Sequence, residues 1–314
     1  MAVLEGVTAP PARVRARPRR TARRERWLRR LPLLPALIYV VVVTQIPFVL
    51  TLWYSFQNWY LYSNTPARFA GLANYVRVFT NAAFRASLVR SVVMTVIAVL
   101  LAMALGIALA VLLDRKFFGR GLARTLIITP FLVMPAAAAL VWAGPMLDVN
   151  YGLLNYLLAP FGVNHVAWAS THPLGSVIVV MVWQWTPFMT LIVLAGLQSQ
   201  PLDTLEAAKV DGAGAWATFR QLTIPHLRPY IELGILLGAI YLVNTFDVIR
   251  LMTQGGPGAA TTNLPYQLYE QAFTQFDIGD AAAAGVVTVI LTIIAATFAL
   301  RLFANVFRFE EARG

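Results

Sequence analysis

The chain has 314 residues, 59% of them hydrophobic and only 12% charged, and its mean hydropathy is +0.67. Such a composition lies outside the range of ordinary soluble domains and indicates a protein that lives in lipid. Because the sequence contains no cysteine, disulfides, thiolate catalysis and cysteine-ligated metals are excluded.

The first thirty residues are strongly basic. Ten arginines lie in residues 1–30 against only Glu5 and Glu25, and an apolar run begins directly after them. By the positive-inside rule we expect this Arg-rich segment to stay cytoplasmic. The net charge of +11 does not predict nucleic-acid binding, because the basic residues cluster beside apolar runs, where anionic lipid headgroups are their natural partners.

Six continuous apolar runs follow, each long enough to cross a bilayer as a helix, which takes about 18 or more residues. They cover residues 31–55, 88–113, 125–147, 174–197, 230–252 and 283–307. Continuous runs predict helices rather than strands, since a span in lipid must satisfy its own backbone hydrogen bonds. The predicted fold is therefore an all-α integral membrane protein with six transmembrane helices, in which Pro130, Pro135 and Pro187 are candidate bends.

The loops between these runs differ in charge. Four basic residues lie between the second and third runs and two in the C-terminal tail 308–314, whereas residues 148–173 and 253–282 contain no lysine or arginine. This pattern predicts a multi-pass membrane protein with both termini cytoplasmic. The segment 56–87 should then lie outside although it carries three arginines, and we interpret it as an amphipathic or interfacial segment.

No motif for catalysis or for a metal site is present in the sequence. The three histidines, His165, His172 and His226, lie in loops without metal-like spacing and are interpreted as surface or interfacial side chains. A phosphate-binding P-loop needs a lysine followed by serine or threonine, but the two lysines precede Phe117 and Val210. We therefore expect no cofactor on this chain; if ATP drives transport, ATP and magnesium bind to another subunit.

Polar side chains lie inside two of the predicted spans. A charge at mid-bilayer costs about 2.5–3.5 kcal/mol, so such residues should face a cavity or a partner. The predicted substrate pathway consists of Trp183, Gln184, Trp185, Asn244, Asp247 and Arg250. Aromatic faces with amide and carboxylate groups suit an uncharged, hydroxyl-rich ligand such as a sugar or polyol. The alternatives are interfacial tryptophans and an internal ion pair of Asp247 with Arg250.

The polar segment between the fourth and fifth runs, residues 198–229, is predicted to face the cytoplasm. Pro201 suits a first helical position, and Gly212 suits the left-handed residue that ends a helix. A second short helix through Trp216 is expected to stop at Pro225. We therefore predict a helix-turn-helix along the membrane surface, with a simple amphipathic connector between two spans as the alternative.

The spacing of residues in this segment is specific. Glu206-Ala207-Ala208 is followed, after a gap of three residues, by Gly212 and, after a further nine, by Leu222-Thr-Ile-Pro225. This pattern resembles the EAA motif of the permease subunits of binding-protein-dependent ABC importers, the surface on which their ATPase subunits dock. The resemblance implies a coupling role for Glu206, Ala207, Ala208, Asp211, Gly212, Leu222 and Pro225.

Other segments extend the resemblance over roughly residues 31–305. The matching segments, which are similar to carbohydrate permeases of the maltose-permease type, are Gly71-Leu-Ala-Asn-Tyr75, Gly152-Leu-Leu-Asn155, Trp183-Gln-Trp-Thr-Pro-Phe188, Ala195-Gly-Leu-Gln198 and Thr253-Gln-Gly-Gly-Pro257. Arg90 stands where the family commonly has asparagine, which puts the packing at the outer end of the second span in doubt.

The resemblance implies a six-span permease domain over residues 31–307 in the bacterial cytoplasmic membrane. It also implies pairing with a related permease subunit and with two ATPase subunits. An extracytoplasmic binding protein delivers a sugar or polyol, and ATP binding and hydrolysis switch the cavity between outward and inward access. The chain itself is expected not to be an enzyme. Two other classes stay open: an ion-coupled secondary carrier, which normally needs its own coupling residues and often inverted repeats, and a membrane scaffold or channel subunit.

Overall fold

A computed structural model describes residues 31–63, 66–163 and 165–311 of the chain. The predicted Arg-rich segment 1–30 and residues 312–314 of the predicted tail lie outside the described residues. In the described part, regular structure is helical apart from one two-stranded hairpin, so the predicted all-α class is confirmed. The chain divides into two compact units, Met1–Thr51 and Leu52–Gly314.

The described part of the first unit is a long apolar helix. It begins with the 3-10 turn Leu31–Leu33 and continues as α1, Leu34–Tyr54, whose last residues belong to the second unit. Its 21 residues rise about 32 Å, close to the thickness of the hydrocarbon core. The hydroxyl of Thr44 donates to the carbonyl of Val40, one turn earlier, so this polar side chain is satisfied within the helix.

The second unit is a helical bundle with a small hairpin at one end. Its elements in chain order are β1 Gln57–Asn58, β2 Arg68–Phe69, α2 Ala73–Thr80, α3 Ala82–Asp114, α4 Arg120–Leu132, α5 Pro135–Val141, α6 Leu153–Leu158, α7 Trp168–Thr171, α8 Pro173–Gln198, α9 Leu202–Val210, α10 Ala215–Thr218, α11 Ile224–Leu242, α12 Asp247–Met252, α13 Leu264–Tyr269 and α14 Ile278–Glu311. A 3-10 turn covers Ala159–Phe161, and π-helical turns cover Trp142–Met146, Phe219–Thr223 and Glu270–Thr274.

Helices α3 and α8 form the centre of this bundle. The side chain of Asn81 caps α3 by accepting from the N–H of Ala83 at 2.8 Å. An ideal Cβ on Gly106 of α3 would lie only 2.6 Å from Cβ of Met189 in α8, so a small residue is required where the two backbones approach. Buried side chains around this contact include Ala98, Val99, Ala102, Val177, Val180, Met181, Val193 and Leu227.

The third predicted span, residues 125–147, is broken in the middle. Helices α4 and α5 meet at an angle of 99° across Val133 and Met134. Pro135 starts the second half, where its missing N–H is tolerated. The break leaves the carbonyl of Val133 free of helical partners, and Nε2 of Gln184 in α8 donates to it at 2.8 Å. Pro187 also lies in a predicted span, but helix α8 runs past it without a break.

The fifth predicted span, residues 230–252, is also discontinuous. Helix α11 ends at Leu242, and α12 begins after the gap at Asp247. The side-chain amide of Asn263 donates to the backbone carbonyl of Thr245 inside this gap. In both interruptions a side-chain amide from another segment therefore donates to a backbone carbonyl that lies between two helices.

The segment after α1 forms the hairpin end of the bundle together with the start of α14. Strands β1 and β2 pair antiparallel, with Gln57 opposite Phe69. The N–H of Ile278 donates to the carbonyl of Trp59 at 3.0 Å. Helix α2 buries one side, at Asn74, and leaves the rest of its surface more exposed, which agrees with the amphipathic segment predicted over residues 56–87.

Two arginines at unexpected positions have polar partners: Arg77, in the segment 56–87 predicted to lie outside, and Arg90, where the family commonly has asparagine. Arg77 in α2 donates through Nε and Nη2 to the carboxylate of Asp280 at 2.7–3.0 Å. Next to this ion pair, burial is the main cause that raises the pKa of Asp277. Arg90 donates to the backbone carbonyl of Thr262 at 3.3 Å, so the unusual arginine is accommodated by a polar contact.

Among the described residues, three helices are long and apolar enough to cross a membrane, namely α1, α3 and α8, and the bent pair α4 and α5 adds a fourth if it counts as one span. The two remaining predicted spans fall on α11, which carries the pair Arg228–Glu232 at 2.9 Å, and on α14, whose described apolar part is Ile278–Ile294. The membrane character of the fold is established, and the count of six spans stays a prediction.

Candidate functional site

The first half of the 198–229 segment is helix α9, Leu202–Val210. Pro201 lies one residue before the helix, as its N-cap with φ −62° and ψ 127°, so its prediction as the first helical residue was wrong by one position. Its fixed φ still suits an entry into a helix. Asp203 in the first turn and Lys209 in the last turn complement the helix dipole. Local sequence therefore accounts for this helix.

Gly212 ends helix α9 with the left-handed turn that the sequence predicts, at φ +78°. Its N–H donates to the carbonyl of Lys209 at 3.1 Å, and the N–H of Ala213 donates to the carbonyl of Ala208 at 2.9 Å. These two bonds form a Schellman motif. No described atom lies within 4 Å of the place that a Cβ on Gly212 would take. The need for glycine comes from the backbone angle and not from crowding.

The second half of the segment does not stop at Pro225, and that prediction was wrong. Helix α10 continues through the π-helical turn Phe219–Thr223 into α11 without a break. In this turn the N–H of Ile224 donates to the carbonyl of Phe219, five residues back. The wider turn shifts the hydrogen-bond register directly before Pro225, which then lies in the first turn of α11, where a missing N–H is tolerated.

Helix α9 and the turn that follows expose large apolar side chains. Leu202, Val210 and Trp216 are 71%, 88% and 71% exposed. Glu206 is also exposed. Of the other residues with a predicted coupling role, the exposed ones are Ala207, Asp211, Gly212 and Pro225, and the half-buried ones are Ala208 and Leu222. Exposed apolar groups together with a carboxylate are typical of a surface that binds a partner.

The two ends of the segment are tied together at its base. The hydroxyl oxygen of Ser199, directly after α8, lies 2.8 Å from the hydroxyl of Tyr230 and 3.1 Å from Nε2 of His226, both in α11. We call these three residues the base clamp. Sequence reasoning missed Ser199 and Tyr230 and interpreted His226 only as a surface or interfacial side chain. The signal is visible only once the fold brings both ends of the segment together.

The three predicted pathway residues of α8 point to different neighbours, as consecutive helical residues do. Trp183 packs edge-on against Trp142, with ring centroids 5.7 Å apart. Gln184 is buried and holds the broken third span through Val133. Trp185 joins an aromatic cluster with ring centroids 5.4–5.6 Å apart, formed with Phe131, Phe188 and Tyr241. The structure therefore does not bring these three side chains into one group.

The other three predicted pathway residues lie at the break between α11 and α12. Asn244 is exposed and donates to the carbonyl of Ile240 at 2.8 Å, while Asp247 is half-buried in the first turn of α12. The guanidinium of Arg250 lies 5.2 Å from the ring centroid of Tyr269, a cation–π distance. The ion pair of Asp247 with Arg250 that the sequence left open is not among the ion pairs of the described residues.

A family profile described as the binding-protein-dependent transport system inner membrane component matches residues 102–308, more than half of the chain. The chain belongs to this family. The chain, called the permease from here on, is thus an inner membrane component of a transport system.

Relatives match the permease over nearly its whole length. It is 41% identical over 273 residues to the probable ABC transporter permease protein y4oQ of Sinorhizobium fredii, covering 86% of this chain and 88% of the relative. It is 33% identical over 292 residues to the trehalose/maltose transport system permease protein MalF of Thermococcus litoralis, covering 92% and 96%. It is 31% identical over 290 residues to the sn-glycerol-3-phosphate transport system permease protein UgpA of Escherichia coli O157:H7, covering 91% and 97%.

The fold of the permease is that of a solved importer. A chain of a bacterial ABC transporter that imports the acidic polysaccharide alginate superposes with a TM-score of 0.75 over 89% of the permease and 96% of that chain, at 19% identity. A chain of a bacterial alginate ABC transporter in complex with an alginate pentasaccharide-bound periplasmic protein gives a TM-score of 0.73, at 20% identity. At such identity the likeness shows the fold alone. Taken with the family and the relatives, it identifies a transmembrane permease subunit of an ABC importer.

Two of the segments that carried the resemblance have a structural role in the permease. Asn155 donates to the carbonyls of Asp148 and Val166 and accepts from Nε1 of Trp168, so it holds the loop between α5 and α8. Asn74 is fully buried and donates to the carbonyl of Ser55, which ties α2 to the residues after α1. Both amides therefore hold loops in place.

Proposed function

We propose that the permease works as one of two related permease subunits, a heterodimer, in an importer with two ATPase subunits and an extracytoplasmic binding protein. It crosses the membrane six times with both termini in the cytoplasm, in contact with membrane lipid and not with nucleic acid. ATP and magnesium bind to the ATPase subunits only. Its cargo is a sugar or polyol, because trehalose, maltose, glycerol phosphate and alginate, named for its relatives and structural neighbour, are all hydroxyl-rich.

The exposed surface of α9 and its turn carries the coupling part of this proposal. Ala207 is small, so the backbone of an ATPase can approach it closely, and Glu206 beside it can accept a charge-assisted hydrogen bond. Leu202, Val210 and Trp216 add exposed apolar surface that the described part of the chain does not cover. Only Ala213 and Gly214 separate the turn at Gly212 from α10, so a displacement of α9 reaches α11 through a short and hydrogen-bonded connection.

The two broken spans support a transport pathway between them. Helix α12 packs against α5, and Ala138, Val248 and Ile249 belong to one buried cluster. Discontinuous helices of this kind commonly surround the substrate site of transporters, because their freed backbone groups line a cavity. Such a site alternates between outward and inward access when a ligand binds the two arrangements with different affinity.

The six polar and aromatic pathway residues have different parts in this proposal. Asn244, Asp247 and Arg250 stand at the break of the fifth span and offer hydrogen bonds to cargo hydroxyls. Trp183 and Trp185 offer aromatic faces to the CH groups of a sugar ring. Gln184 acts on the pathway by holding the break of the third span through the carbonyl of Val133.

The experiment that tests the proposal is uptake by the assembled importer in proteoliposomes. We expect uptake only when ATP is present on the side of the ATPase subunits and the binding protein on the other side. Glu206→Gln should abolish uptake while the affinity of the binding protein for its sugar is unchanged. Asp114→Asn, which removes a loose surface pair with Arg120 at 3.8 Å, is the control for loss of a carboxylate and should transport normally.

Three outcomes would count against the proposal or a part of it. Accumulation driven by an ion gradient in vesicles that contain the chain alone would make it a secondary carrier. Passive conduction without ATP would make it a channel subunit. Normal uptake by Glu206→Gln would remove the coupling role from α9 and leave the exposed surface without a function.

A further inference from the structure

We infer that the base clamp, Ser199 with His226 and Tyr230, is a positioning device that makes α8 and α11 move as one body when the 198–229 segment is displaced. The inference rests on the proposed coupling function of that segment. It assigns a role to three residues outside the motif that carries the resemblance, which covers Glu206 to Pro225.

The hydrogen bonds of the base clamp form a closed set. The hydroxyl of Ser199 donates to the carbonyl of Gly196 at 2.8 Å, which leaves its oxygen free to accept. The hydroxyl of Tyr230, 2.8 Å away, donates to that oxygen. Nε2 of His226 lies 3.1 Å from the same oxygen and 3.2 Å from the carbonyl of Gly196. Donors and acceptors balance when Nε2 of His226 carries a hydrogen, and the hydroxyl of Ser199 is then at the centre of the hydrogen bonds.

Below these hydrogen bonds the two helices are in direct contact. An ideal Cβ on Gly196 would lie 2.7 Å from Cδ2 of Tyr230 and 2.8 Å from Cδ2 of Leu227, so any larger residue would push the helices apart. Leu227 is fully buried in this contact. The ring of Tyr230 therefore packs against the backbone of α8 while its hydroxyl bonds to the end of the same helix. The ends of α8 and α11 are therefore held together both by side-chain packing and by hydrogen bonds.

The position of the base clamp decides what it can do. Ser199 and His226 are 27 residues apart in sequence, and α9, its turn and α10 lie between them. A force on α9 reaches α8 through Gln200 and Pro201, and reaches α11 through the π-helical turn. Without the base clamp these two routes could displace α8 and α11 separately. With the base clamp in place, each ATP-driven movement displaces α8 and α11 together.

The test measures the distance between the two helix ends and needs no knowledge of the cargo. Because the chain contains no cysteine, Gln198→Cys and Gln221→Cys introduce the two thiols to be spin-labelled on this chain, both at exposed positions. The distance is measured by pulsed electron resonance in the assembled importer, with and without ATP. We expect one narrow distance peak that does not shift when ATP binds.

Ser199→Ala and Tyr230→Phe are tested separately, and each removes one hydroxyl of the base clamp. Both variants should lose the narrow distance peak when ATP binds. In Tyr230→Phe the aromatic ring is kept, so only the hydrogen bond is lost. Ser199→Thr restores the hydroxyl and should restore the peak. Thr125→Ala removes a hydroxyl bond that stays within one helix, to the carbonyl of Gly121 at 3.1 Å, and should behave as the unaltered chain.

The inference is overturned if the unaltered chain itself shows a shifted distance on ATP binding, or if Ser199→Ala and Tyr230→Phe keep the narrow peak. Either result leaves the proposed function standing, provided that Glu206→Gln still abolishes uptake. Failure of the proposed function has a different signature, since Glu206→Gln then transports normally whatever the distance between the helices.

Discussion

Replacing Gly212 by alanine should uncouple the permease from its ATPases although alanine adds only one methyl group. The turn at Gly212 has φ +78°, and no described atom would touch the new Cβ. The only penalty is that an L-residue in the left-handed region costs about 1–2 kcal/mol. The Schellman bonds from the N–H groups of Gly212 and Ala213 back to α9 close the end of this helix and set the direction in which the chain leaves it, so this penalty acts directly on the orientation of α9.

The size of the effect follows from that penalty. A cost of about 1–2 kcal/mol lowers the equilibrium constant for a correctly formed turn by about 5- to 30-fold. ATP-driven uptake in proteoliposomes should fall, by a factor of up to about 30. Uptake by Gly212→Asn should lie between that of the unaltered chain and that of Gly212→Ala, because asparagine tolerates the left-handed region better than alanine. Global stability should change little, since the loss is confined to one exposed turn.

Gly214→Ala is the matched control for this prediction. Gly214 has φ −67° and ψ 160°, which alanine adopts without strain, and no described atom lies within 4 Å of its added Cβ. Uptake by Gly214→Ala should therefore equal that of the unaltered chain. If both variants lose uptake equally, or if neither does, the left-handed turn is not what orients α9 and the reasoning is refuted.

Three further changes test the contacts that hold the fold, each followed by thermal unfolding in detergent. Gln184→Leu leaves the carbonyl of Val133 buried without a donor and should cost about 1–3 kcal/mol. Asp280→Asn breaks the two-pronged contact with the partly exposed Arg77 and should cost about 1–2 kcal/mol. Asp277→Asn should stabilise the protein at neutral pH, because burial raises the pKa of Asp277 and so disfavours its charged form.

For each of these three predictions, one outcome would contradict the reasoning. For Asp277 the folded pKa is the higher one, so the carboxyl weakens the fold as the pH rises through that pKa; the gain from Asp277→Asn should vanish below a pH of about 4. If Asp277→Asn still stabilises the protein below that pH, the stabilisation does not come from the raised pKa of Asp277. Asp114→Asn is the control for Asp280→Asn, and an equal loss in both would show that the contact with Arg77 is not special. An unchanged melting temperature of Gln184→Leu would mean that the break at Val133 needs no donor.

Local patterns in the sequence were enough to predict the helices and the turn at Gly212. Continuous apolar runs place α1, α3 and α8, because a helix of that length is the way such a run satisfies its backbone in lipid. Gly212 could be predicted because the end of a helix is a short-range event within a few residues. For residues 56–87 the sequence predicted an amphipathic or interfacial segment, and the helix α2 within it was not predicted.

The features that the sequence did not reveal depend on contacts between distant residues. Pro130, Pro135 and Pro187 look alike in a sequence, yet the break lies at Val133, where Gln184, 51 positions away, supplies the missing donor. The helix continues past Pro225 because a π-helical turn shifts the register before it, which no composition rule signals. The ion pair of Arg77 with Asp280 joins residues 203 positions apart, and the base clamp likewise exists only in the folded chain.

The central claim is that a separate ATPase moves this chain by gripping α9, and cross-linking from Ala207 tests it most directly. Since the sequence lacks cysteine, Ala207→Cys gives this chain a single reactive thiol, on the exposed side of α9. Tyr156→Cys, at a side chain that is 77% exposed in the loop predicted to lie outside, is the control. We predict that a thiol cross-linker joins Ala207→Cys, and not Tyr156→Cys, to an ATPase subunit in membranes. Labelling of Ala207→Cys from the outer side, with no ATPase in the product, would contradict the account.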